Sequence, residues 1–338
     1  MTAFRKPPPI VALNEVESLP SMREAVSKAI ARAGFKAHMI EIRRILCPID
    51  FSDASRHALE HAVVIAGWYR SRIVALHVDH PMILLSPLVL FTDSPGAILP
   101  TEPDRQQLRQ QLREWLVPAE QAGLETEALF DEGNSVARIL ERARSLPADL
   151  IVMGTHGRGG FERLILGSVT ERILRKATCP VLTVPPPATA RSKLPFKQML
   201  CPIDFSEPSI AALQFAFSIA QESDARLTIQ HVFEWSSDDQ VIAKRSFGLS
   251  EFRRQWEAET RQRLEGLISE DVRRWCAPEP KLSLGKPYRQ ILALAEAEHI
   301  DLIVMGVHGR NALDVMLFGS TTNHIVRRAS CPVLTLRK

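Results

Sequence analysis

Ile45-Leu46-Cys47-Pro48-Ile49-Asp50-Phe51-Ser52 returns 154 residues later, almost unchanged, as Met199-Leu200-Cys201-Pro202-Ile203-Asp204-Phe205-Ser206. An octapeptide that recurs so closely marks an internal duplication. Working outward, His77 and His231 keep the offset of 154, whereas Gly154 and Gly306, Gly167 and Gly319, and Cys179 and Cys331 stand 152 apart. The copies therefore differ by two residues of net length, gained or lost between His77 and Gly154, where a surface excursion absorbs such changes easily. The expected domains are 41–187 and 194–338, joined by a linker at 188–193. The prolines of 185–187 and Pro195 favour a short semi-rigid connection there, because they sustain neither helix nor central strand. A chain of 338 residues suits two cores of ordinary domain size.

Within each copy, strand-like and helix-like segments alternate. Residues 44–49, 73–78, 150–153 and 180–184 are short, continuous apolar runs rich in β-branched residues, as parallel strands buried on both faces require. Ser52 and Ser206 stand where an N-cap opens the first helix, and Pro208 falls in the first turn, where a missing N–H costs little. Alternation with right-handed crossovers predicts two tandem doubly wound, Rossmann-like α/β domains, each with a five-stranded parallel sheet. Residues 1–40 lie outside the duplication. One helix is expected there, opened by the capping box Ser21-Met22-Arg23-Glu24 and stopped by Gly34.

Composition narrows the function classes. With 45% hydrophobic and 24% charged residues the chain has enough apolar material to fold. A net charge of +3, spread without a basic stripe, argues against a nucleic-acid partner. The apolar run at 82–91 is broken by Pro87 and is far shorter than the ~20 residues a membrane helix needs, so no membrane association is expected. The first twenty residues lack the apolar segment of a secretion signal, and none of the five cysteines forms a Cys-x-x-Cys pair. A cytoplasmic protein without disulfides is the expectation.

After the fourth strand comes Gly154-Thr155-His156-Gly157, then nine residues, then Gly167-Ser168 at a helix start; Gly306, Gly309, Gly319 and Ser320 repeat the spacing. Glycines at a strand's carboxyl end let backbone N–H groups approach a ligand. The helix entrance that follows offers unpaired donors and about half a positive charge, which suits phosphate. The Ser168 and Ser320 hydroxyls can add a donor or assist a phosphate-bound Mg²⁺; no metal site built from protein ligands alone is expected. A Walker A lysine motif is missing, and after Gly157-Arg158-Gly159 the last glycine of a dinucleotide fingerprint is replaced by Glu162. In an open sheet the ligand crevice lies where strand order reverses, which would gather Asp50, Val78 and the glycine loop.

The Cys-Pro-Ile-Asp-Phe-Ser start, the His-Val end of strand two, the Asp-Leu-Ile-Val-Met-Gly strand, the glycine spacing and the Cys-Pro-Val-Leu-Thr finish resemble the universal stress protein family, over the whole of each copy. The resemblance implies the adenine nucleotide alpha hydrolase-like fold and ATP or a related adenine nucleotide as ligand. It implies that Pro48, Ile49, Asp50, Val78 and Met153 surround adenine and ribose. Gly154, His156, Gly157, Arg158, Gly167, Ser168 and Val169 would meet the phosphates. The second set is Pro202, Ile203, Asp204, Val232 and Met305, with Gly306, His308, Gly309, Arg310, Gly319, Ser320 and Thr321. The segments Gly133-Asn134-Ser135 and Gly285-Lys286-Pro287 differ between copies, which leaves room for unequal affinities. The resemblance also implies pairing of the final strands, 181–184 and 333–336, in an intrachain pseudo-dimer, and is compatible with a homodimer of whole chains.

Plainer readings stand beside these. The glycines serve equally as turns, Asp50 and Asp204 as caps of the strand-to-helix turn, His156 and His308 as space-fillers, and Arg158 and Arg310 as surface ion pairs. His57 and His61 lack a third metal ligand and read as a solvated helix face. The apolar excursion 82–90, replaced by a more polar 234–244, is either a lid on its own domain or a contact for an unknown protein partner. The expected activity is nucleotide-dependent signalling or regulation in a stress response, with no assigned catalytic residue and at most slow ATP hydrolysis. The alternative is a nucleotide-independent interaction scaffold. An ATP pyrophosphatase would need a Ser-Gly-Gly-x-Asp-Ser loop where this chain has Asp50-Phe51-Ser52-Asp53.

Overall fold

The structure is a computed structural model that describes residues 40–79, 102–156, 166–186, 194–234, 249–307 and 319–337. The helix expected after Ser21, the excursion at 82–90, most of 234–244, the linker 188–193, and Gly157, Arg158, His308, Gly309 and Arg310 lie outside the described residues.

The first repeat runs β1 (Arg44–Pro48), α1 (Asp53–Tyr69), β2 (Arg72–Asp79), α2 (Glu102–Gln121), β3 (Thr126–Glu132), α3 (Ser135–Ser145), β4 (Leu150–Gly154), α4 (Ser168–Lys176) and β5 (Val181–Val184). The second runs β6 (Gln198–Pro202), α5 (Glu207–Ser223), β7 (Arg226–Phe233), α6 (Leu249–Gly266), α7 (Glu270–Trp275), β8 (Glu279–Leu284), α8 (Pro287–Ala297), β9 (Leu302–Gly306), α9 (Ser320–Arg328) and β10 (Val333–Leu336). The apolar runs read as two-sided strands are that: β4 and β9, both Leu-Ile-Val-Met-Gly, are buried at every position. The caps also form, since the Ser52 and Ser206 hydroxyls accept from the amides of Ser55 and Ser209. None of the described helices is long and apolar enough to cross a membrane.

Ten strands form one sheet in the order β3-β2-β1-β4-β5-β10-β9-β6-β7-β8. Each repeat contributes five parallel strands, and its order reverses between β1 and β4, or between β6 and β9. Asp149 and Asp301 hold the opposite end of this junction. The first accepts from the amides of Arg43 and Arg44 at 2.8 and 2.9 Å, the second from Lys197 and Gln198 at 2.6 and 3.1 Å.

The repeats join where β5 meets β10, the one antiparallel pair among the described residues, with Leu182 opposite Leu334. The pair is symmetric in detail: Thr183 Oγ1 donates to the Val333 carbonyl at 3.1 Å and Thr335 Oγ1 to that of Val181 at 3.2 Å. All eight residues are buried, so two would-be edges become the middle of the molecule. On one face α1 supports the junction, with the fully buried Phe196 against His61 and Trp68 and with the Tyr69 hydroxyl 2.9 Å from Ser218 Oγ. All five cysteines are free thiols, and burial pushes those of Cys47 and Cys201 far up.

His61 stands where the second repeat has Phe215. Its Nδ1 is 2.8 Å from the His57 carbonyl, and burial lowers its pKa to about 4, with the neighbouring His57 charge adding to the shift. An unfolded histidine takes up a proton near pH 6.5. As pH falls from about 6.5 to about 4, the unfolded chain binds a proton that the folded chain refuses, and stability is lost across that window. His61→Phe should therefore gain on the wild type by up to roughly 3 kcal/mol between pH ~7 and pH ~4, measured by urea denaturation at each pH. A wild-type-to-variant difference that does not change with pH would contradict this account.

Candidate functional site

The turn after β1 shapes one wall of the crevice. The Ile49 amide donates to the Leu76 carbonyl at 2.8 Å, and its own carbonyl accepts from His77 Nδ1 at 2.7 Å, which requires the ring proton on Nδ1. The second repeat copies this with Ile203, Gln230 and His231 at 2.7 and 2.6 Å. Asp50 Oδ1 then accepts from both the amide and the hydroxyl of Ser52, at 3.0 and 2.5 Å; Asp204 and Ser206 match these distances. Each carboxylate thus holds the turn that opens α1 or α5, the role given to it as a cap.

Between carboxylate and serine the chain enters the left-handed region, at φ 62° for Phe51 and 63° for Phe205. That conformation costs a phenylalanine about 1–2 kcal/mol, and the surroundings hold it. Phe51 packs on His77 at 4.7 Å and edge-on to Trp115 at 5.3 Å, and Arg56 lies 4.2 Å over the Trp115 ring. Phe205 packs on His231 at 5.0 Å beneath Arg263 at 4.0 Å. Sequence reasoning assigned Phe51, Phe205, His77 and His231 no part in the site. Their recurrence in both copies was the available signal.

The glycines divide into two kinds. A Cβ on Gly154 would lie 2.9 Å from that of Ala54, and one on Gly306 2.8 Å from the Pro208 backbone, so these residues let the starts of α1 and α5 sit on the ends of β4 and β9. Gly167 and Gly319 close a loop instead. Gly167 N–H donates to the Thr155 carbonyl at 2.8 Å and Gly319 N–H to that of Val307 at 3.2 Å, while Cβ atoms there would approach these same carbonyls to 3.1 and 2.8 Å. The base of each loop is tied to the central strands, through Thr155 N–H to the Val184 carbonyl at 2.9 Å and Val307 N–H to that of Leu336 at 2.8 Å. Thr170 and Thr322 brace it by donating to the carbonyls of Gly154 and Gly306 at 2.9 and 3.2 Å.

Because the amides of Gly167 and Gly319 are committed to loop closure, the donors of each entrance are those of the first helical turn, starting at Ser168 and Ser320. Both helices are capped by glycine without a side-chain cap hydrogen bond, as α8 is by Lys286, whereas Ser52, Asn134, Ser206 and Ser269 cap theirs. Ser168 and Ser320 are exposed. Met153 and Met305 are buried in the core cluster against which Val78, Val169 and Val232 pack. Pro48 and Pro202 end β1 and β6, and Thr321 lies in the first turn of α9. His156 Nδ1 is 2.9 Å from Thr155 Oγ1, and its Nε2 is buried without a partner among the described residues. The rings of His57 and His61 serve the junction, with His57 Nδ1 3.1 Å from the Pro185 carbonyl. Among the described residues no three His, Cys, Asp or Glu side chains stand together as a metal site would need.

Gly154→Ala and Gly306→Ala should each destabilise the chain by about 1–3 kcal/mol, because backbone as well as side chain must move away from the new methyl group. Gly67→Ala, exposed in the last turn of α1 with nothing within 4 Å, should instead stabilise by up to roughly 0.5–1 kcal/mol. Urea midpoints compared across the three variants would show these opposite signs.

Comparison with known proteins identifies the family. The universal stress protein family matches residues 41–185 and again 195–337. A universal stress protein of Methanocaldococcus jannaschii is 36% identical over 145 residues, covering 43% of this chain and 83% of that one. One from Mycolicibacterium smegmatis is 27% identical over 304 residues, covering 87% of this chain and 96% of its own length. The crystal structure of a universal stress protein from Archaeoglobus fulgidus shares the fold at a TM-score of 0.62 and 23% identity, over 88% of this chain and 99% of that chain. The chain belongs to the universal stress protein family and carries its domain twice.

Proposed function

We propose that both repeats bind ATP or a related adenine nucleotide, and that the chain works as a nucleotide-dependent signalling or regulatory module in a stress response. The observation that carries this reading is the pair of glycine-capped helix starts, one in each repeat. Each follows a strand at the point where the sheet order reverses, and its glycine cap makes no side-chain hydrogen bond to the first turn. Such an entrance has backbone donors and a positive helix end to offer an anion, and the crevice beside it is the general ligand position of open α/β sheets.

In this reading the phosphates lie at the starts of α4 and α9, with Ser168 and Ser320 as added donors. The walls formed by Ile49, Asp50 and Val78, or by Ile203, Asp204 and Val232, are assigned to ribose and adenine. Gly157, Arg158, His308, Gly309 and Arg310 are assigned to the remaining phosphate contacts by position in the loop. α9 has no acidic residue in its first turn. A lone hydroxyl there fits a Mg²⁺ that arrives on the nucleotide better than one held by the protein. Binding and release, with at most slow hydrolysis, are the assigned activity. Domain limits at 41–187 and 194–338 belong to the same reading.

Calorimetric titration of Mg-ATP into nucleotide-stripped full chain should show two sites. Ser168→Glu or Ser320→Glu should each weaken one of them by tenfold or more through like-charge repulsion. Folding stability should hold or rise, since a carboxylate in the first turn favours the helix. Absence of heat with the wild type would favour the scaffold function, and two sites unaffected by either substitution would sink the assignment of phosphate to these helix starts.

A further inference from the structure

The helices α4 and α9 are equivalent in the duplication, yet their first turns differ in charge. α4 carries Glu171, and the offset of 152 that relates Gly167 to Gly319 places Asn323 at the same position of α9. A carboxylate there sits over the positive end of its helix and offsets part of the potential that an entering phosphate would feel.

Glu171 is not left to act alone. Its Oε1 accepts from Arg175 of the same helix at 2.8 Å, and its Oε2 accepts from Arg327 at 3.1 Å. Arg327 belongs to the other repeat, in the last turn of α9, and its Nε donates to Asn323 Oδ1 at 2.6 Å, which fixes the guanidinium. The amide of Glu171 donates to the Gly167 carbonyl and that of Asn323 to the Gly319 carbonyl, each at 2.9 Å. An unbroken series of hydrogen bonds therefore runs from one glycine cap through Glu171, Arg327 and Asn323 to the other. Both charged side chains are about a third exposed, at 28% and 32%, so the pair keeps some strength without a full desolvation cost. The arrangement is one-sided, because the second repeat has an uncharged amide where the first has its carboxylate.

We infer that the two entrances are unequal, and that the anion affinity of the first is set by Arg327 of the second repeat, which neutralises Glu171. This rests on the nucleotide reading of the entrances. Arg327 acts through Glu171 and is a positioning residue; the second entrance, without a first-turn carboxylate, stays the more positive of the two.

The test uses full-length chain carrying Ser320→Glu, so that calorimetry with ATP at low salt reports the first entrance. Arg327→Gln should weaken binding roughly two- to fivefold, the size of a helix-end charge effect, and Arg327→Lys should restore most of it. Glu171→Gln should tighten binding by a similar factor. In that background Arg327→Gln should change nothing, which completes a double-mutant cycle that a packing defect cannot imitate. At roughly 1 M salt the differences should fade. An equal loss in both backgrounds, or no loss in either, overturns the inference while leaving the nucleotide reading standing. A wild-type chain that binds no ATP brings down the nucleotide reading itself.

Discussion

The antiparallel pairing of β5 with β10 about Leu182 and Leu334 is the contact on which the rest of the structure depends. Each repeat ends in a short apolar strand that would otherwise be an unpaired sheet edge, open to pairing with any other chain. Joined, the two strands become the centre of a ten-stranded sheet. They also anchor the glycine loops, because the first residue after β4 hydrogen-bonds to the end of β5 and the first after β9 to the end of β10. The bases of both loops are therefore fixed by the same four-residue strands that fuse the repeats. A shift in that pairing would displace both helix entrances together.

The same constraint explains how far the sequence could be read. The repeated octapeptide, the two Leu-Ile-Val-Met-Gly runs and the serine caps report local chemistry, namely burial on both faces and a missing donor at a helix start, and each element formed where this chemistry predicts. The glycines were legible as a pattern and not as individual roles. Composition cannot tell that Gly154 makes room for Ala54, or that the Gly167 amide is already bonded to Thr155, since both facts depend on which backbone atoms fold brings near. The left-handed Phe51 and Phe205 were hidden for a different reason. Phenylalanine has no preference for that region, and the carboxylate, the serine and the ring packing around it help to hold it there.

Contacts between the repeats were the least legible, being pairings of residues far apart in the chain. Tyr69 with Ser218 and Glu171 with Arg327 are separated by 149 and 156 positions and belong to no motif. Periodicity says which face of a helix is buried but not what it is buried against. His61 is the instructive case. The sequence reads it as one of a histidine pair on a solvated helix face, and the fold corrects this: His61 is a fully buried core residue beside Phe196 whose environment holds it neutral.

Duplication within one chain also permits what a symmetric dimer forbids. In an isologous interface every residue meets its counterpart's surroundings twice, so a glutamate at the start of one helix would appear at both, each pairing with the partner's arginine, and the two entrances would be identical. A fused chain is released from that rule. His61 can face Phe196 while Phe215 occupies the matching place, and Glu171 can take arginines from both repeats because Asn323, which shares Arg327 through its Nε, brings no competing charge. The fold stays symmetric because the backbone pairing at its centre demands it. The charge at the helix entrances need not, and it is there that the two copies differ, with Glu171 in one and Asn323 in the other.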